Sequence, residues 1–213
     1  TLLDAFTARY TRRTAGSKAL TAKHRPHLAD PRTVSGFRPI WKELVYPLVV
    51  ERSEGAYVWD VDGNRYVDLT NGFGMIFFGH RPPFVVDALK AQLDRGIEIG
   101  PQSPLAGEVA ERLCRMVGFE RAAFCNTGSE AVTAALRVSR TVTGRDRVVY
   151  FNGDYHGIFD EVLARPTVIA GRPAAVPIAP GILPSSCTDI TILEYGTQEA
   201  LDYIAANAGE LAA

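Results

Sequence analysis

The sequence predicts an α/β protein in which an N-terminal arm and a three-stranded antiparallel meander precede part of a mostly parallel sheet. Three observations predict it. Between Leu48 and Leu69, short runs rich in Val, Tyr and Trp are separated by turn residues. From Pro82 to Val117, apolar residues recur at helical spacing. From Ala122 onward, short apolar runs alternate with amphipathic stretches, the pattern of parallel strands joined by helices.

Taken in order, residues 1–45 have weak periodicity and read as an arm or linker with one short helix near Leu2–Tyr10. Leu48–Glu51, Ala56–Asp60 and Arg65–Leu69 are the three meander strands. Ser53-Glu54-Gly55 and Asp62-Gly63-Asn64 supply the turn chemistry between them. Asn71-Gly72-Phe73-Gly74 interrupts regular structure, and a glycine-permissive loop continues to Gly79-His80. Pro82 and Pro83 open a helix, where a missing N–H costs nothing, and Val86, Leu89, Lys90 and Leu93 carry it to Gly96. Leu105, Val109, Leu113 and Met116 share one face of a second helix, Leu105–Val117. Then come strand Ala122–Cys125, helix Ser129–Thr141 and strand Val148–Phe151. A Gly- and Pro-rich stretch from Gly171 to Pro184 leads to strand Ile190–Leu193 and helix Gln198–Ala206. The implied organisation is an arm at 1–46, the meander with its helix at 47–103, and the sheet domain at 104–213.

Composition narrows the function. At roughly 100–200 residues per domain, the 213 residues allow one large domain or a fragment of something bigger. With 46% hydrophobic residues the chain is ordinary globular material. A formal net charge of −1 argues against a nucleic-acid binder that works by broad phosphate neutralisation. No apolar run is long enough to cross a bilayer as a helix. Cys114, Cys125 and Cys187 lack C-x-x-C spacing and read as buried thiols of a reducing compartment, hence a cytoplasmic protein. Arg9, Arg12, Arg13, Lys18, Lys23 and Arg25 make the first 30 residues basic, as in a transit peptide. The start at Thr1 rather than Met instead favours a segment of a longer polypeptide. All four lysines (Lys18, Lys23, Lys42, Lys90) lie in the first 90 residues.

Two loops carry the candidate chemistry. Asn126-Thr127-Gly128-Ser129-Glu130-Ala131 leaves a strand and enters a helix. A helix start has free N–H groups and a positive dipole end, so a small anion can sit there; Gly128 permits close approach and Ser129 adds a hydroxyl. The plainer alternative is a capped strand-to-helix turn. Tyr155-His156-Gly157 follows the next strand at its carboxyl end, where ligands of open α/β sheets gather. Taken alone, Tyr155 is an amphipathic residue at a sheet edge and His156 a loop histidine. Together, the two loops can hold a planar, phosphorylated cofactor. Gly72-x-Gly74-x-x-x-x-Gly79 lacks dinucleotide-binding spacing. There is no phosphate-loop Gly-Lys-Ser/Thr, H-E-x-x-H or G-x-S-x-G, and the histidines and cysteines show no zinc-like clustering, so no metal site is expected.

These motifs, in this order, resemble the class III aminotransferases, the group that includes glutamate-1-semialdehyde aminomutase. Trp59-Asp60-Val61-Asp62-Gly63-Asn64-Arg65-Tyr66-Val67-Asp68-Leu69 is similar to the family's N-terminal meander, and Gly79-His80-Arg81-Pro82 to its next loop. The resemblance runs from roughly Pro47 to Tyr195. It implies an incomplete type I aminotransferase fold, a homodimer, and pyridoxal 5'-phosphate as cofactor. It also implies that Gly128 and Ser129 hold the phosphate while Tyr155 lies against the ring with His156 beside it. The family holds its cofactor through a Schiff-base Lys and pairs the pyridine nitrogen with an Asp. No lysine follows Lys90, so both groups are expected beyond Ala213 and this chain holds no catalytic residue of its own. Phe159-Asp160-Glu161-Val162 resembles the family's Asp-Glu-Val element but follows Tyr155 too soon, and Asp160 reads as an ordinary loop or helix-start acid.

A narrower resemblance rests on Ala29-Asp30-Pro31-Arg32-Thr33-Val34-Ser35-Gly36-Phe37-Arg38-Pro39 and Lys42-Glu43-Leu44-Val45-Tyr46-Pro47. These are similar to aminotransferase domains embedded in hybrid polyketide–peptide synthases. The implied reaction transfers an amino group from an amino-acid donor to a β-ketoacyl thioester on an acyl carrier protein. A free-standing relative acting on a small substrate is the alternative, as is a short, non-catalytic module that binds a ligand or partner.

Overall fold

The structure, a computed structural model, describes residues 1–30, 37–97, 100 and 102–213. Two units form, Thr1–Pro101 and Gln102–Ala213.

In the first unit, helix α1 (Leu2–Arg13) starts at a capping box between Thr1 and Asp4, and α2 (Ala15–His24) follows it directly. The reading of 1–45 as an arm with one short helix is therefore incomplete. The second helix was obscured by its composition: Ala, Gly, Ser and Thr give it almost no apolar stripe, and its order comes from tertiary hydrogen bonds. The Asp62 carboxylate accepts the Gly16 and Ser17 N–H groups at 2.6 and 3.1 Å, and Ser17 Oγ accepts the Val49 N–H at 3.1 Å.

The meander forms as expected, with strands β1 (Val50–Glu54), β2 (Tyr57–Asp60) and β3 (Arg65–Val67) in sequential antiparallel order. β1 begins later and runs further than expected, so Glu54 is paired with Tyr57 and the first turn tightens to Gly55-Ala56. One face is paved by cations on aromatic rings, Arg52 over Trp59 at 3.6 Å and Arg65 over Tyr57 at 4.7 Å. Beneath the second turn, Asp60 is 1% exposed. Its carboxylate accepts the Asp62 and Asn64 N–H groups, the Asn64 side-chain amide and the Tyr66 hydroxyl. Burial alone would raise the Asp60 pKa; the hydrogen bonds outweigh it and hold the carboxyl below its usual range. Helix α3 (Pro83–Arg95) closes the described part of this unit.

In the second unit, α4 (Pro104–Val117) is capped by Ser103 and ends at left-handed Gly118. Its expected apolar face is present but uncovered, with Leu105, Val109, Leu113 and Met116 all exposed. Ala122–Cys125 does not form the expected strand. A strand needs a ladder partner, and among the described residues none lies beside this segment. Helix α5 (Gly128–Thr143) and strand β4 (Val148–Phe151) come next. The stretch before Ile190 contains a hairpin that the sequence reading missed: β5 (Ala164–Ile169) and β6 (Arg172–Pro177). Its two-residue turn, Ala170-Gly171, has positive φ at both positions (50° and 76°), the geometry that suits the twist of a tight hairpin. Proline in both strands masked the signal. Strand β7 (Ile190–Leu193) lies parallel to β4, with Val148 opposite Ile190 and Phe151 opposite Leu193. Helix α6 (Gln198–Asn207) then returns the chain so that Leu211 bridges Arg147 in parallel.

Leu136, Val148, Tyr150, Ala175, Cys187, Ile190 and Ile192 form the core of this unit. Of the three cysteines expected to be buried, only Cys187 is; Cys114 is partly exposed and Cys125 exposed, because the strand that would have sheltered it does not form. No helix among the described residues is long and apolar enough to cross a membrane.

Candidate cofactor site

The two loops singled out in the sequence meet. Gly128, Ser129, Tyr155 and His156 all line one cavity of about 430 Å³, together with Thr127, Val132, Gly157 and Ile158. Its floor is the start of α5, and its far wall is the loop leaving the carboxyl end of β4.

The helix start is built by local chemistry. Thr127 accepts the Glu130 N–H at 3.2 Å, while the Glu130 carboxylate reaches back to the Asn126 and Thr127 N–H groups at 2.9 Å each. This reciprocal capping satisfies three donors of the loop. The Gly128 and Ser129 N–H groups have no protein partner among the described residues. They are left at the positive end of the helix dipole, on the cavity. Thus capping by Thr127, the plainer sequence alternative, and an anion-ready helix start coexist, because each uses different N–H groups.

Gly157 decides how the loops approach. A Cβ placed there would lie 2.6 Å from Ser129 Oγ and 3.0 Å from Ser129 Cα. Its φ of +128° is also one that side-chain-bearing residues rarely adopt. Beside it, the Ile158 N–H donates to Ser129 Oγ at 3.2 Å, which leaves the hydroxyl proton for another acceptor. Sequence reading did not assign a role to Gly157 or Ile158; the glycine closing Tyr155-His156-Gly157 was the available signal.

Tyr155 is 77% exposed and offers a ring to a cavity ligand. His156 is half-buried, set edge-on to the Tyr150 ring at a centroid distance of 5.2 Å. Its Nε2 is buried without a hydrogen-bond partner among the described residues. Asp160 opens a short 3-10 turn, Asp160–Val162, and its neighbour Glu161 pairs with Arg140 at 2.8 Å. No lysine lies in this unit. No group of three or more potential metal-ligating residues occurs among the described residues.

Comparison with known proteins decides the family. The class-III aminotransferase family matches residues 41–191. The chain belongs to that family. A glutamate-1-semialdehyde 2,1-aminomutase of Chloroflexus aurantiacus is 41% identical over 172 residues, covering 78% of this chain and 38% of the relative. That of Chloroflexus aggregans is 36% identical over 212 residues, 97% of this chain and 46% of the relative. Among solved structures, a glutamate-1-semialdehyde aminomutase from Pseudomonas aeruginosa matches with a TM-score of 0.75 and 30% identity, covering 99% of this chain and 47% of that one. A β-phenylalanine aminotransferase from Variovorax paradoxus matches with a TM-score of 0.77 and 28% identity, over 99% and 45%. The fold is thus part of the type I aminotransferase fold, and the chain spans less than half the length of the curated relatives it matches.

Proposed function

We propose that the complete protein is a pyridoxal 5'-phosphate-dependent aminotransferase and that this chain supplies the phosphate- and ring-binding half of its site. The observation that carries the proposal is the contact of Gly157 with Ser129. It joins an unsatisfied helix start to an aromatic loop in one cavity. The residues present fit the group: two free N–H groups and a hydroxyl proton for the phosphate, and an exposed tyrosine ring for the pyridine.

When bound, the cofactor supplies the electron sink that makes an amino-bearing carbon acidic. The Gly128 and Ser129 N–H groups and the Ser129 hydroxyl would hold the phosphate, and the Tyr155 ring would lie against the pyridine. His156, which lines the same cavity, would stand beside it. The cofactor-bearing lysine and the acid that pairs the pyridine nitrogen are assigned to sequence beyond Ala213. A homodimer is proposed from the family.

The finer proposal is a carrier-bound β-ketoacyl thioester as acceptor, giving a β-amino acyl chain. Its support is the motif from Ala29 to Pro47, of which residues 31–36 lie outside the described residues. A small free substrate is the second reading, favoured by relatives named glutamate-1-semialdehyde aminomutase. In the full-length protein, an amino donor alone should shift the visible spectrum stably, and the acceptor should restore it. No response to any common amino donor would overturn the aminotransferase reading. A kcat/KM that is equal for carrier-tethered and truncated acceptors would overturn the carrier reading alone.

A further inference from the structure

Two buried polar atoms of the second unit, Tyr150 Oη and His156 Nε2, complete no well-formed hydrogen bond among the described residues, although the Ala164 N–H approaches the phenol oxygen. They belong to rings packed edge-on, 5.2 Å between centroids. An unpartnered buried donor or acceptor carries its full desolvation penalty, and two of them on rings packed edge-on point to a shared proton rather than two independent losses. We propose that Tyr150 is a positioning residue of the cofactor site: its phenol supplies the proton that His156 Nε2 accepts, directly after a small ring turn or through one water. This fixes the imidazole as the tautomer protonated at Nδ1.

Burial pushes the Tyr150 phenol up to about 12 despite the backbone N–H of Ala164, which approaches its oxygen and acts the other way; with an N–H on that oxygen, the hydroxyl proton is what Tyr150 has left to offer. The nearby Cys187 thiol is itself raised by burial and by the Asp160 charge, and therefore stays neutral. Because Nε2 is closed off, His156 can meet a cavity ligand only through Nδ1, and the fixed tautomer makes that atom a donor. A donor suits the anionic or electron-rich ligand expected beside Tyr155. Tyr150 on β4 would thus act on the site through His156, at one remove. The inference rests on the cofactor reading for its ligand, but not for its tautomer.

Ring-15N-histidine labelling of the full-length protein tests it, with the His156 signals assigned by their loss in His156→Gln. The wild type should show a pyrrole-type Nδ1 and a pyridine-type Nε2 shift at neutral pH. Tyr150→Phe, which keeps the ring, should lose this single-tautomer pattern and weaken pyridoxal phosphate binding about three- to tenfold, the loss of one hydrogen bond. A wild-type proton on Nε2, or an unchanged tautomer in Tyr150→Phe, would overturn the inference. The wild-type spectrum can overturn it even if the variant does not fold. Failure of the wild type to bind pyridoxal phosphate would instead sink the cofactor reading, with the tautomer still readable.

Discussion

The two units solve burial in opposite ways. In Thr1–Pro101 the most deeply buried side chains are Thr14, Ser17 and Asp60. Around them, Asp60 gathers four donors, Asp62 two more, and Thr14 shares a hydrogen bond of 2.7 Å with Tyr46. In Gln102–Ala213 the buried cluster is Leu136, Val148, Tyr150, Ala175, Cys187, Ile190 and Ile192, drawn from α5, the β4–β7 pair, β6 and the turn before β7. The first unit is held by buried hydrogen bonds, those to Asp60 and Asp62 charge-assisted, and each lost partner strands a buried group. The second is held by apolar area, which tolerates graded losses. A short meander with an exposed cation–aromatic face has little apolar surface to cover, so its order depends on a few carboxylates.

The largest expected effect follows directly. Asp60→Ala strands the Tyr66 hydroxyl and the Asn64 donors, and should cost the first unit on the order of 3–4 kcal/mol. Hydrogen exchange resolved by residue would show faster exchange in Val50–Val67 with Val148–Leu193 unchanged. Equal loosening of both units would break the comparison. Leu136→Ala is the mirror experiment. Leu136 is 8% exposed, so the cavity should cost about 2–4 kcal/mol, confined to the second unit.

Acidity should separate the units without any mutation. Asp60 is held below its usual range as described, and Asp68 is lowered by the Asn71 N–H and by His80, which pairs with it at 2.8 Å. A carboxylate with a lowered folded pKa stabilises fully above its unfolded value, near 3.8 here, and that stabilisation is lost as pH falls through the folded value. Titration downward from pH 5 should therefore loosen the first unit before the second. Raised groups act in the opposite direction. Tyr66 and Tyr150, both pushed up to about 12 chiefly by burial, stabilise below the ordinary phenol range and lose that contribution between pH 10 and 12, so alkali should affect both units.

Smaller changes sharpen the account of the site. Gly157→Ala should push Ser129 out of place and weaken pyridoxal phosphate binding in the full-length protein by about 2 kcal/mol, read by cofactor titration, with little change in the first unit. Ser129→Asp should weaken it comparably by setting a carboxylate against the phosphate; unchanged affinity in either would remove Ser129 from the site. Glu161→Gln breaks the Arg140–Glu161 pair, whose partners are 24% and 34% exposed, and should cost only about 0.5–1 kcal/mol in thermal unfolding.

Local chemistry was legible in the chain itself. The meander, the helix start at Pro83, the apolar face of the helix expected from Leu105, and the turn at Thr127-Gly128-Ser129-Glu130 each depend on residues within a few positions of one another. The pairing of that turn with Tyr155-His156 was legible because both follow expected strands. Elements whose order comes from distant partners were not. Helix α2 depends on Asp62, some 45 residues away, and the β5–β6 hairpin carries three prolines, Pro166, Pro173 and Pro177, in its strands.

Residue type and spacing thus determined the strand–helix alternation, the anion-ready helix start and the absence of any lysine after Lys90. Only the tertiary structure decided that Gly157 must lack a side chain, that Ser129 Oγ accepts the Ile158 N–H, and that the Tyr150 ring packs edge-on against His156. It also decided that Ala122–Cys125 stays unpaired. The reason is physical: periodicity and capping are set by neighbours along the chain, whereas close approach, burial and ladder pairing depend on which distant atoms arrive beside a residue.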